Sequence, residues 1–265
     1  MRIKKTKKKT KKQKVLDKLI PGLFLVVIGT GVVFAAYQPY KNHLVKNTGE
    51  KVVSIKQTAK TVKSNQGKTQ SKTEDKQDEQ AAKESPSVST ETSPNYDPSQ
   101  VTELTMADVL EGNRNAERIV RDFGVGKIVL PNLGIKLPIL VGIANTNLAV
   151  GAGTMKNGQQ MGVGNYALAG HHMNNKNLLF GPLEDAAKDQ LIFVTDYEKI
   201  YEYKITSNKI VGPNDGYVIN DVADKNLITL ITCAEGGKTR YAVQGELSKV
   251  YTDNDVPSEI KQLFN

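Results

Sequence analysis

The chain has 265 residues, a formal net charge of +8 and one cysteine. Nine of its basic residues lie within residues 1–14, which hold no acid, so the rest of the chain is nearly neutral at −1. The high pI therefore reflects one terminus rather than a nucleic-acid-binding face, and a single thiol excludes a disulfide-built scaffold.

From Leu19 to Tyr40 no side chain is charged. That run reaches the ~20 apolar residues needed to cross a hydrocarbon core, so it is expected to be a transmembrane signal-anchor. The basic residues of 1–18 would stay in the cytoplasm and everything after Tyr40 would lie outside, at the surface of the cell membrane. A cleaved secretory signal is the alternative, because Val33-Phe34-Ala35 resembles a small-residue cleavage site. The apolar run is longer than the roughly 7–15 residues of a typical signal core, which favours the anchor.

Residues 41–100 are dominated by Ser, Thr, Gln, Lys and Glu, with isolated apolar residues and no aromatic between Tyr40 and Tyr96. Such a stretch buries too little apolar surface to offset its ordering entropy and is expected as a flexible or partly helical polar stalk. Residues 101–265 have the length of one ordinary domain, with 16 basic and 19 acidic residues.

Within that domain, Thr105-x-x-Asp108 is an N-cap pattern, and Val109, Leu110 and Ile119 fit a short helix over Met106–Val120. Strands are expected at Ile128–Leu130, Leu137–Val141, Tyr166–Ala169, Leu191–Val194, Lys199–Ile205, Leu227–Thr232 and Tyr241–Leu247. They are short, rich in β-branched and aromatic residues, and separated by turn residues such as Asn157-Gly158 and Asn214-Asp215-Gly216. The fold expected is mainly β, a closed seven- or eight-stranded β-barrel with one or two short helices.

Cys233 ends the run Thr229-Leu230-Ile231-Thr232-Cys233, and Arg240 follows across a loop short enough for a hairpin. An unpaired thiol is either buried and inert or kept for chemistry; a nearby cation or imidazole raises its thiolate fraction. The chain has three histidines. His43 falls in the stalk, whereas His171 and His172 follow Tyr166-Ala167-Leu168-Ala169-Gly170, a strand ending in glycine, where side chains project from a rigid sheet. Arg240 offers fixed donors that suit a developing oxyanion. These residues alone leave open a thiol protease, another Cys–His transpeptidase, or an anchored binding domain with an inert cysteine.

Thr-Leu-Ile-Thr-Cys, Leu-Ala-Gly-His and a strand-borne arginine after the cysteine together resemble the signature of sortases, the surface transpeptidases of Gram-positive bacteria. The run Ile128–Ile139 is similar to that family's early barrel strands, and the resemblance covers about residues 105–250. It implies a sortase-type barrel and a cysteine transpeptidase that cleaves LPXTG-type sorting signals between Thr and Gly through a thioester. The surface protein would then pass to a cell-wall precursor amine of lipid II type. Cys233 would be the nucleophile, His171 the proton carrier and Arg240 the group holding substrate backbone or oxyanion.

Ile231, Ala169, Thr232 and His172 would line the substrate groove, with the loop from about Val211 to Lys225 closing over it. Some family members bind calcium, but no Asp or Glu occurs between Lys136 and Glu184, so neither a metal nor another cofactor is expected. Tyr96-Asp97-Pro98-Ser99 lacks the aromatic of the pilin-polymerising lid, and no second span follows the domain. The class A type is therefore favoured. Partners implied are LPXTG-bearing surface proteins, the precursor amine and the membrane, with no nucleic acid.

Overall fold

Short β-branched runs bounded by turn residues become eight strands: β1 (Gly124–Leu130), β2 (Ile135–Leu140), β3 (Ala152–Thr154), β4 (Asn165–Ala169), β5 (Leu191–Thr195), β6 (Lys199–Val211), β7 (Leu227–Ala234) and β8 (Thr239–Thr252). The computed structural model describes residues 11–55, 57–70, 94–173, 175–234, 237–252 and 255–265, with the side chains of 11–29, 33, 34 and 67–70 outside that description. The strands close into a barrel in the order β1-β2-β3-β4-β7-β8-β6-β5. Closure removes both sheet edges. β2 runs parallel to β3, β4 runs parallel to β7, and the other pairs are antiparallel.

Alternation decides what fills the barrel. Ile128, Leu130, Ile139, Tyr166, Leu168, Ile192, Tyr203, Leu230 and Val243 are at most 1% exposed and form one apolar cluster. Along β6, Tyr203 and Ile205 are buried in the core and half-buried Tyr201 packs against it, and the β6–β8 register slips between Glu202 and Tyr203.

β3 is the strand that pattern reading does not anticipate. It has three residues, and its central Gly153 lies so close to its neighbours that a Cβ there would fall 2.4 Å from the Gly142 carbonyl oxygen. A short, wholly buried segment built on glycine shows neither alternation nor β-branched enrichment.

Among the described residues five α-helices accompany the strands: α1 (Lys11–Val53), α2 (Ala59–Gln70), α3 (Met106–Phe123), α4 (Asn145–Leu148) and α5 (Ser258–Leu263). α3 begins at the expected place. The Thr105 side chain accepts from Asp108 N at 3.1 Å and the Asp108 carboxylate accepts from Thr105 N at 2.8 Å, a reciprocal capping box. Such a box stabilises a helix start by about 1 kcal/mol. The helix runs one turn beyond the expected Val120 and buries Val109, Gly112, Ala116, Ile119 and Val120 along one face.

The chain divides into two compact units, Met1–His43 and Leu44–Asn265. Most of the apolar run Leu19–Tyr40 lies outside the described side chains; among the described residues no helix is long and apolar enough to cross a membrane. Residues 1–10 and 71–93, parts of the expected basic terminus and stalk, also lie outside the described residues.

Within the segment expected as a flexible or partly helical stalk, residues 44–55 and 57–66 include side chains packed against the domain. Val45, Val52 and Val62 are at most 3% exposed in the second unit, and Val52 packs with Ala116, Ile119 and Val120 of α3. Asn65 Nδ2 donates to the Arg121 and Gly124 carbonyls at 3.0 and 2.9 Å, and Lys127 Nζ donates to the Val53 carbonyl at 2.8 Å. The segment is too polar to form a core of its own. A sparse stripe of valines suffices when the domain supplies the opposing apolar surface. The compact unit that holds the barrel runs from Leu44 to Asn265.

Candidate active site

Cys233 is the penultimate residue of β7 and is half-buried. β7 and β8 pair in register, Thr232 with Tyr241 and Cys233 with Arg240. Directly opposed residues project to the same side with Cβ atoms roughly 4.5–5.5 Å apart, so the Arg240 and Cys233 side chains leave the hairpin on one side, next to each other.

On the other flank β4 pairs with β7 through Ala169 opposite Ile231. Two bonds extend this register beyond the strand end: Gly170 N donates to the Ile231 carbonyl at 3.1 Å, and Thr232 Oγ1 donates to the Gly170 carbonyl at 2.8 Å. Carrying the register on by two residues sets His171 level with Cys233. His171, Cys233 and Arg240 thus form one row across β4, β7 and β8.

The row lies on the outer face. Leu168, Leu230 and Val243 belong to the core cluster, so the residues alternating with them, Ala169, Ile231, Cys233, Arg240 and Ala242, face the other way. Ala169 and Ile231 form an apolar strip on that face, leading to Cys233.

Thr232 falls on the core side instead, 2% exposed, with its hydroxyl donated to Gly170. It ties the cysteine strand to the histidine strand. His172 also turns from the row; its ring lies 6.4 Å from Tyr241 with 24° between the planes, and its Nε2 is 3.5 Å from Glu184 Oε2. Tyr241 and Glu184 carry no sequence pattern that marks them. Only the fold brings Glu184, 12 residues downstream, back to His172.

His171 is 5% exposed and fixed by its backbone, its carbonyl accepting from Phe180 N at 3.1 Å. Gly170 is required beside it, since a Cβ there would fall 2.6 Å from the ring of fully buried Phe180. Arg240 Nη1 donates to the Gly237 and Thr239 carbonyls at 2.7 and 2.9 Å. These bonds use two of the guanidinium's five N–H donors and set its plane.

Comparison with known proteins identifies the family. A sortase-domain family model matches residues 128–248. Sortase A of Streptococcus agalactiae is 30% identical over 249 residues, spanning 92% of this chain and 89% of that protein. Sortase A of Listeria monocytogenes is 38% identical over 161 residues, 60% of this chain and 71% of the relative.

The chain belongs to the sortase family.

The crystal structure of Listeria monocytogenes sortase A superimposes with a TM-score of 0.50 at 36% identity, covering 54% of this chain and 97% of that one. Sortases are cysteine transpeptidases, and the protein is such an enzyme, similar to those of class A. Cys233 is this sortase's single cysteine.

The loop expected over the sortase groove, Val211 to Lys225, contains a 3-10 turn at Gly216–Ile219 and exposes Tyr217 and Val222. It is pinned from beneath. Asn165 Nδ2 donates to the Val218 and Asn220 carbonyls at 3.0 and 3.1 Å, and Thr229 Oγ1 donates to Asn165 Oδ1 at 2.7 Å.

Asp221 in the same loop accepts from Lys156 Nζ and from Asn165 N, each at 2.7 Å. The Lys156 hydrogen bond, helped by the Asn165 amide, holds the Asp221 carboxyl below the usual carboxylate range. A depressed carboxyl pKa contributes stability above its unfolded value near 4, and that contribution is lost as pH falls through the folded pKa. Lys156 supplies, from the β3–β4 loop, the positive charge that ties it to the β6–β7 loop. Lys156→Ala is expected to lower kcat/KM about three- to tenfold through a looser loop, and adding calcium to chelated wild-type protein to leave the rate unchanged. Steady-state rates with and without calcium check both.

A cavity of about 210 Å³ lies toward the start of β4, lined by Lys63, Tyr96, Thr154, Lys156, Gln159 and Tyr166 among others. It includes none of Cys233, His171 and Arg240.

Proposed function

We propose that this sortase cleaves LPXTG-type sorting signals between Thr and Gly and transfers the severed protein to a cell-wall precursor amine. The row of His171, Cys233 and Arg240 on one outer face supports this reading. The Cys233 thiolate attacks the Thr carbonyl carbon. The oxyanion that forms is held by Arg240 donors and by backbone amides beside the cysteine. His171 protonates the departing Gly amine, leaving a thioester between the Thr acyl group and Cys233. It then takes a proton from the incoming amine, which attacks the thioester and releases the thiolate.

Ile231 and Ala169 form the floor for the apolar Leu-Pro part of the signal, beneath the loop from Val211 to Lys225. Residues 19–40 act as a single-pass signal-anchor with residues 1–18 in the cytoplasm, placing the catalytic domain outside the cell. The uncharged run and its basic flank support that topology.

Product analysis tests the reading. With an LPXTG peptide and an amine of precursor type, the expected product is mostly the new amide. Free acid alone would mark a hydrolytic thiol protease instead.

A further inference from the structure

The transpeptidase chemistry leaves one polar cluster unused, and it adjoins the row through His172. Glu184 lies in the 3-10 turn Gly181–Asp185, with its side chain 13% exposed. One carboxylate oxygen is contacted by the Lys176 ammonium and the other is 3.5 Å from His172 Nε2. At that length the contact with His172 is an ion-pair contact rather than a full hydrogen bond, and it gains strength when the imidazole is protonated. The Lys176 hydrogen bond, with a smaller contribution from His172, keeps the Glu184 carboxyl below its ordinary range. Glu184 is therefore an anion at neutral pH.

The groups facing the His172 ring are Glu184, with Lys176 behind it, and Tyr241 from β8, which stacks on the ring. Asp185, adjacent to Glu184, adds negative charge toward Lys176.

The same contacts close the loop that carries His171. His172 bridges to Leu179, and Phe180 N donates to the His171 carbonyl at 3.1 Å. Leu179 has φ of +52°, a left-handed conformation that a branched residue adopts only when its surroundings hold it there. The peptide from which His171 projects is thus fixed at its backbone by Thr232 and Phe180, and at the next side chain by Glu184.

We infer that Glu184 is a positioning residue for the transpeptidation, gripping His172 on the core side of the sheet and so aiming the neighbouring His171 at Cys233 on the outer side. Glu184 acts through His172 and does not touch the substrate. The inference rests on the proposed roles of His171 and Cys233. A shift of about an ångström in a catalytic group is enough to slow a reaction by up to about 10²-fold.

The test uses the full-length protein and begins with wild-type thioester formation from an LPXTG peptide; its absence would overturn the transpeptidase reading itself. Glu184→Gln keeps the size of the side chain and one acceptor oxygen while removing the charge. It is expected to lower kcat for thioester formation about tenfold at neutral pH, with KM for the peptide within about twofold.

His172→Gln should cause a similar loss, and the double variant Glu184→Gln/His172→Gln no more than either alone, as expected for residues acting as one unit. Lys176→Met, which removes only the outer cation, should stay within about twofold of wild type. Thermal melting of each variant accompanies the rates. An unchanged kcat or a change confined to KM for Glu184→Gln, additive losses in the double variant, or a Lys176→Met loss equal to that of Glu184→Gln would each overturn the inference and leave Glu184 as an ordinary ion pair.

Discussion

Replacing Cys233 by Ala is expected to abolish transpeptidation, lowering the rate by at least about 10³-fold while the protein stays folded. The side chain is half-buried and forms no disulfide, so its loss removes the nucleophile and little else. His171→Ala is expected to cost about 10²–10⁴-fold, the range for a positioned proton carrier. Arg240→Lys should retain the charge and still lose about 10-fold or more, because an ammonium cannot keep two donors on the Gly237 and Thr239 carbonyls and present others to the oxyanion.

Thioester formation and thermal melting, measured together, separate chemistry from folding. Normal turnover by His171→Ala would pass its role to His172. The observed geometry opposes that, since His172 stacks on Tyr241 on the other side of the strand row.

The second large effect concerns stability. A protein beginning at residue 101 loses the helical segment that covers α3 and β1. Val45, Val52 and Val62 are at most 3% exposed. Burying each contributes about 1.5 kcal/mol or more. The same truncation takes the Val53 carbonyl from Lys127, which is 7% exposed, and Asn65 from the Arg121 and Gly124 carbonyls. The truncation opens these groups to water, so each lost hydrogen bond costs about 1 kcal/mol.

Ordering the segment offsets part of this, leaving a net loss of roughly 4 kcal/mol. For a domain of this size that corresponds to a drop in Tm of about 10 °C. Melting curves of residues 44–265 and 101–265 give the difference directly. Equal melting temperatures would mean that the valines do not hold the segment to the domain.

The contrast between these regions shows what a sequence makes visible. Strands such as β4, β5 and β7 are long enough, and β-branched enough, for their pattern to stand out between glycine and asparagine turns. The cysteine, the histidine pair and the arginine are rare residue types at strand ends, and the order of their motifs carries the family.

What stays hidden depends on partners distant in the chain. β3 rests on glycines that allow close backbone approach. The helices at 44–66 take their apolar surface from α3. Thr232 looks like a site residue until its face is known; the pairing of Thr232 with Tyr241 then shows that it belongs to the core side. Glu184 has no local mark at all, since only the turn at Gly181–Asp185 returns it to His172.

The central claim is that Cys233 carries the acyl group, and intact-protein mass spectrometry of the wild-type enzyme mixed with an LPXTG peptide, without added amine, tests it most directly. The predicted result is a mass increase equal to the peptide fragment ending in Thr, mapped to Cys233, discharged by hydroxylamine and absent from Cys233→Ala. Cleavage of the peptide with no adduct on Cys233 in rapidly quenched samples, or continued cleavage by Cys233→Ala, would contradict it.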